Sequence, residues 1–161
     1  MATSLSNLSA YNYEAVPDGT SFTLHLVVSQ WNNTITSELQ KGALNTLLKH
    51  KVQQKNIKIW EVPGSFELIY GAKKAKSYNP DAVIVIGSVI QGQTKHFDFV
   101  CQAVAQGIMN LNIHSEVPFI FCVLTDNTLK QAQDRSGGKH GNKGIEAAIT
   151  ALKMITLRQS T

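Results

Sequence analysis

The stretch Gly87-Ser88-Val89-Ile90-Gln91-Gly92-Gln93-Thr94-Lys95-His96-Phe97-Asp98 constrains this chain most, because an apolar strand runs out there in small residues and hands over directly to a helix. The incoming run, Ala82-Val83-Ile84-Val85-Ile86, is short and continuously apolar, as strands buried on both faces of a parallel sheet are. Such strands deliver ligands to their carboxyl ends. Residues 92 to 96 then bring backbone N–H groups, a hydroxyl and an imidazole to a helix start, a combination that suits an anion beside a proton-transfer group.

The same alternation recurs along the chain. Residues 1 to 20 are polar with a turn at Pro17-Asp18-Gly19, and read either as a tail or as an arm that pairs with a neighbour. Phe22 to Val28 reads as the first core strand, ending at Ser29-Gln30-Trp31-Asn32-Asn33. Thr34 can cap a helix striped by Ile35, Leu39, Ala43, Leu47 and Leu48. Lys55 to Val62 alternates as a second strand up to Pro63-Gly64, and Ser65 opens a helix to about Ser77. After the third strand comes a helix carrying Phe97, Val100, Cys101, Val104, Ile108 and Leu111 at three-and-four spacing, and then a fourth strand, Phe119 to Leu124. Two helices close the order, Thr128 to about Ser136 and Asn142 to about Leu157, around the glycine-rich break Gly137-Gly138-Lys139-His140-Gly141. Alternating strands and helices of these lengths predict a three-layer α/β/α sandwich on a central four-stranded parallel sheet with right-handed connections. The 161 residues, 43% hydrophobic and 16% charged, suit one globular domain over 21–161 behind the 1–20 arm.

Composition excludes several classes. No apolar run approaches the roughly eighteen residues of a membrane span, and the first residues lack the basic and apolar blocks of a secretory signal, so a soluble cytoplasmic protein with no membrane partner is expected. The net charge of +4 comes from lysines scattered at helix spacings without interleaved aromatics, which argues for solvated helix faces, against nucleic acid, and is compatible with an anionic small substrate. The two cysteines, Cys101 and Cys122, sit among apolar neighbours with no CxxC pair or Cys/His cluster; they read as two buried free thiols, and no metal site is expected.

In a parallel sheet the loops after the four strands share one edge, which gathers Trp31 and Asn32, Gly64 to Glu67, Gln93, Thr94 and His96, and Thr125 into one neighbourhood. Trp31 offers a face for a flat heterocycle or anchors the core; Glu67 accepts from hydroxyls or serves its helix dipole. His96 lies at the mouth of the third strand and is suited to carry protons, whereas His25, His50 and His114 occupy places typical of structural or exposed histidines. Arg135 alone reads as a helix C-terminal cation. Lys139 and Lys143 lie in glycine-rich surroundings, but without the Gly-Lys-Ser/Thr of a P-loop or a preceding strand, which excludes a nucleoside triphosphate site.

Taken together, Val62-Pro63-Gly64-Ser65-Phe66-Glu67, Gly87 through Phe97, and Val123-Leu124-Thr125 leading through Gln131-Ala132 and Arg135 to Gly141-Asn142-Lys143-Gly144-Ile145-Glu146-Ala147-Ala148 resemble the lumazine synthase family, from about Phe22 to Met154. The resemblance implies a flavodoxin-like fold and a cofactor-free condensation of 5-amino-6-(D-ribitylamino)uracil with 3,4-dihydroxy-2-butanone 4-phosphate to 6,7-dimethyl-8-ribityllumazine, the penultimate step of riboflavin biosynthesis. It implies that Trp31 stacks on the ring, that Ser65, Phe66, Glu67, Ser88, Val89 and Ile90 hold the pyrimidine and ribityl chain, and that Gln93, Thr94 and Arg135 hold phosphate. His96 is then the proton donor and acceptor, Phe121 completes the pocket from a neighbouring subunit, and Lys143 approaches the ligand. Family members form pentamers, in many cases twelve of them in a sixty-subunit shell. The short Gly137–Asn142 connection, without the insertion of pentamer-only relatives, points to the shell, with the 1–20 arm adding to a neighbour's sheet and riboflavin synthase as a candidate partner. Two departures stand out: Gln91 occupies a position where many members carry arginine, and Trp31 replaces the commoner phenylalanine.

Three rival readings share parts of this pattern. An archaeal-type riboflavin synthase would have the same fold, but the motif spacing here favours lumazine synthase. A non-catalytic flavin-binding cage protein would be expected to lose the histidine or the arginine, and both are present. A flavodoxin-like electron carrier would place its phosphate loop after the first strand, where Gln30-Trp31-Asn32-Asn33 is not rich in hydroxyls and glycine.

Overall fold

The computed structural model of this chain describes residues 7–160. Four parallel strands, β1 (Leu24–Ser29), β2 (Ile57–Val62), β3 (Ala82–Ile90) and β4 (Phe119–Asp126), form a sheet in the order β2-β1-β3-β4. The helices are α1 (Asn33–Lys49), α2 (Leu68–Lys76), α3 (His96–Ile113), α4 (Leu129–Arg135) and α5 (Lys143–Gln159). This is the expected three-layer α/β/α sandwich. Because strand side chains alternate, Leu24, Leu26 and Val28 join Ile84 and Ile86 on one face, where Ile35, Leu39 and Leu47 of α1 and Leu152 and Ile155 of α5 cover them. Val27, Val83 and Val85 face the other way, under Leu68 and Ala72 of α2 and Val104 and Ile108 of α3. Each fully buried Leu or Ile contributes about 1.5–3 kcal/mol by leaving water.

Several boundaries differ from the sequence expectation, each for a local reason. α1 starts at Asn33 behind Asn32, which takes a left-handed conformation (φ 57°), so Thr34 lies inside the helix. Leu48 of the expected stripe is exposed. A 3₁₀ turn at Gln54–Asn56 delays β2 to Ile57. Ser65 starts a turn rather than a helix: its carbonyl accepts from Leu68 N, and α2 begins only at Leu68. β3 runs four residues beyond Ile86, because β4 continues to Asp126 and pairs with it from Val83↔Phe119 to Ile90↔Asp126. The Gly137–Gly141 break folds into a small antiparallel hairpin, β5 (Ser136–Gly138) and β6 (Gly141–Asn142), with positive φ at Gly137 and Gly141. Cys122 is buried, with its thiol pKa pushed up to about 12 by burial, but Cys101 is only half-buried, so the expected pair of buried thiols is one.

Residues 7–20 lie along their own chain. Leu8 N donates to His140 O, Asn142 N donates to Ser9 Oγ, and Tyr13 Oη donates to Lys49 O. The first six residues of the expected arm lie outside the described residues. Among the described residues no helix is long and apolar enough to cross a membrane, and none form a cluster of three or more His, Cys, Asp or Glu able to hold a metal ion.

Candidate active site

The sheet order fixes where the cleft opens. From β1 the chain turns outward to β2, and from β3 it turns the opposite way to β4, so the helices that follow β1 and β3 leave on opposite faces and a crevice remains between the two strand ends. A cleft of about 580 Å³ lies there, and its lining includes Trp31, Asn32, Gly64 to Glu67, Ser88 to Ile90, Thr94 and His96.

Local bonds explain why these residues converge. Gln30 N and Trp31 N donate to the carbonyls of Val62 and Pro63, which binds the loop after β1 to the loop after β2. Asn32 Nδ2 donates to Ser88 O at 2.9 Å, binding that loop to β3. Trp31 is left 71% exposed, so it is a presented surface and not a core anchor. Glu67 stands at the N-terminus of α2, where the helix dipole favours its negative charge, and its carboxylate lies over Gly64: a Cβ there would come within 2.8 Å of Oε2. The hydroxyls of Ser65 and Ser88 are buried and have no hydrogen-bond partner among the described residues. Buried hydroxyls without partners cost free energy, and a polar ligand in the cleft would supply what they lack.

His96 is the first residue of α3, and its backbone N–H donates to Thr94 Oγ1 at 3.4 Å. The imidazole is exposed at the cleft, beside the positive end of an 18-residue helix. Phosphate at such a terminus and a proton carrier next to it are chemically compatible.

Nine of the thirteen residues singled out from the sequence line this cleft: Trp31, Ser65, Phe66, Glu67, Ser88, Val89, Ile90, Thr94 and His96. Gln93 is exposed in the adjoining turn and does not line it. Phe121, Arg135 and Lys143 lie elsewhere on the chain. Phe121 and Lys143 line a separate groove of about 730 Å³ along the edge strand β4 and helix α5. There Lys143 Nζ pairs with Glu146 Oε1 at 2.6 Å, one helical turn on. Arg135 closes α4, donating from Nη1 to Gln131 O at 3.1 Å, with Asp126 Oδ1 3.8 Å from the same nitrogen. The sequence reading missed Phe97 and Val100 as apolar cleft lining, since helical spacing alone does not say which turn of α3 reaches the cleft.

Comparison with known proteins agrees with this geometry. The family model described as 6,7-dimethyl-8-ribityllumazine synthase matches residues 21–159. A protein of Flavobacterium johnsoniae bearing that name is 57% identical over 160 residues, covering 99% of this chain and 84% of its own length. Those of Christiangramia forsetii and Porphyromonas gingivalis, named alike, are 54% and 53% identical, each covering 99% of this chain and 96% and 99% of their own lengths. With the cleft, its histidine and its carboxylate in place and the match spanning nearly the whole fold, the chain belongs to the 6,7-dimethyl-8-ribityllumazine synthase family.

Proposed function

We propose that this chain condenses 5-amino-6-(D-ribitylamino)uracil with 3,4-dihydroxy-2-butanone 4-phosphate, giving 6,7-dimethyl-8-ribityllumazine, one phosphate and two waters. The observation that carries the reading is the cleft at the β1/β3 switch point, where an exposed indole, two buried hydroxyls without partners, a carboxylate and an imidazole converge. The indole of Trp31 suits the flat pyrimidine, and Glu67 suits the ribityl hydroxyls. The substrate amine adds to the ketone and water leaves to form an imine. Phosphate is then eliminated, and the second nitrogen closes the ring as another water departs. Every step moves a proton, which is the role given to His96; such help is typically worth about 10²–10⁴-fold. Holding two substrates face to face contributes on a similar or larger scale. No cofactor is needed for this sequence of steps.

The site is proposed to be completed by a second copy of the chain. Phe121 and Lys143 line a different groove from His96, and Arg135 does not line the cleft, so a ligand in one chain's cleft meets them only if a neighbour brings its β4 edge across. Phe99, Met109 and Ile113 of α3 and Tyr70 of α2 are exposed apolar side chains, a further sign of a surface meant to be covered. A pentamer, closed into a sixty-subunit shell, is the assembly this reading favours, with the N-terminal arm contacting a neighbour and riboflavin synthase as a candidate guest. The free thiols of Cys101 and Cys122 suit the cytoplasm. The family match favours lumazine formation over the riboflavin synthase, flavin-cage and electron-carrier readings.

Mixing the purified protein with both substrates tests the reaction. Lumazine fluorescence and phosphate release should rise together, one to one and well above a no-enzyme control. Phosphate release without lumazine, or rates equal to the control, would contradict it. Light scattering after size exclusion measures the assembly.

A further inference from the structure

Asp126 ends β4 beside Arg135, and the reaction as described gives it no role. The residue is 6% exposed. One carboxylate oxygen, Oδ1, lies 3.8 Å from Arg135 Nη1; the other, Oδ2, is buried without a hydrogen-bond partner among the described residues. Its backbone carbonyl accepts from Gln91 N at 2.9 Å, and Asp126 is in register with Ile90, so the strand end that carries this carboxylate is held in place beside Arg135, on the side of the chain that a neighbour's cleft would meet. Burial pushes its pKa up, and the Arg135 guanidinium pulls it back down.

Two anions at one guanidinium weaken each other's hold on it, more strongly where burial lowers the effective dielectric. Position 91 is glutamine here, so the turn offers no side-chain cation there to offset the carboxylate. We propose that Asp126 is a positioning residue that holds Arg135 while the phosphate site is empty and competes with phosphate for it, so that the affinity for phosphate is set by this pair. The inference rests on the reading that Arg135 binds the substrate's phosphate. A carboxylate that loosens this hold favours release of the phosphate formed in each turnover.

The test is a double-mutant cycle on the assembled enzyme, read as the inhibition constant of inorganic phosphate and the KM of each substrate. Arg135→Ala alone should weaken phosphate binding; if it does not, the phosphate reading of Arg135 fails and this inference fails with it. Given that loss, Asp126→Asn should tighten inorganic phosphate roughly three- to tenfold and lower the KM of the phosphorylated ketone, with the KM of the amine unchanged. In the Arg135→Ala background the same change should alter phosphate binding by less than about twofold, because the competitor has lost what it competes for. Asp126→Ser, neutral and smaller, should repeat the tightening and carries the test if Asp126→Asn melts early. Weaker or unchanged phosphate binding in the neutral variants, or an equal effect with and without Arg135, would overturn the inference while leaving the phosphate role of Arg135 intact.

Discussion

The side-chain amide of Asn32 donates to the carbonyl oxygen of Ser88 at 2.9 Å, joining the loop after β1 to the strand that ends beside His96. Asn32 does this from a left-handed backbone conformation (φ 57°), which asparagine tolerates better than most residues. One residue therefore sets both the turn into α1 and the position of Trp31.

Two substitutions separate these roles. Asn32→Gly keeps the backbone free to turn and loses only the bond, which should cost about 0.5–1.5 kcal/mol. Asn32→Ala adds the left-handed strain, a further ~1 kcal/mol or more. Chemical denaturation should rank the stabilities wild type, Gly, Ala. Both variants should raise the KM of the pyrimidine substrate, and equal stability of the two would show that the backbone conformation costs nothing.

Much of this arrangement was legible in the sequence, and the reason is visible in particular residues. Ala82 to Ile86 read as a buried strand because burial on both faces makes such a strand uniformly apolar. The continuation through Gly87 and Ser88 was not legible: small residues look like a strand end, yet the glycine answers to crowding. A Cβ on Gly87 would meet Leu68 Cδ1 at 2.8 Å and Ser65 Oγ at 3.0 Å, so a side chain there would have to push both aside, and glycine lets α2 and its preceding turn close on the strand. The hairpin was hidden for another reason, since Asn142 is held by residues far along the chain, donating from Nδ2 to Glu38 O at 2.9 Å and from its backbone N to Ser9 Oγ. Trp31, Glu67 and His96 could be grouped because strand ends of a parallel sheet share an edge. The resemblance already assigns Phe121 to a neighbouring subunit, but separating Arg135 and Lys143 from the cleft required knowing that β4 is the edge strand, which is decided by tertiary order.

His96 and Arg135 should fail in different ways. His96→Ala should lower kcat by about 10²-fold or less while leaving measurable turnover, since orientation of the substrates persists. Arg135→Ala should chiefly raise the KM of the phosphorylated ketone. Steady-state kinetics with each substrate varied in turn distinguishes them. Complete inactivity of a folded His96→Ala would mean that the imidazole does more than carry protons.

Gly64 tests the placement of the Glu67 carboxylate. In Gly64→Ala the new methyl would sit 2.8 Å from Oε2, so the flexible carboxylate must move while the fold is little disturbed. The KM of the ribityl substrate should rise several-fold with little change in melting temperature, and that of the ketone should not. A large loss of stability instead would show that the turn itself cannot accept a side chain.

Stability should fall as acid is added through the histidine range. Burial lowers the pKa of His25, against the opposing effect of its Nδ1 contact with Ala75 O at 3.0 Å, and Lys58 adds to the lowering. His50 is lowered by burial and by Lys49. The unfolded chain therefore binds more protons than the folded one below the ordinary histidine value of 6.5, so stability rises with pH, is complete above that value and is lost as pH falls through and below it. Melting temperatures taken from about pH 7.5 to about pH 5.5 should decline, and less steeply in a His25→Gln/His50→Gln variant. An equally steep decline in that variant would assign the effect to other groups.

The central claim is that the cleft of one chain is finished by the β4 edge of another, and mixed assembly tests it most directly. One chain carries Glu67→Ala and His96→Ala in its cleft, the other Phe121→Ala and Arg135→Ala at its edge, and each alone should form a weakly active assembly. Co-expressed at equal levels, they should place an intact cleft against an intact edge at about one junction in four, restoring about a quarter of wild-type lumazine formation. Activity of the mixed assembly no higher than that of its two parents would contradict the account.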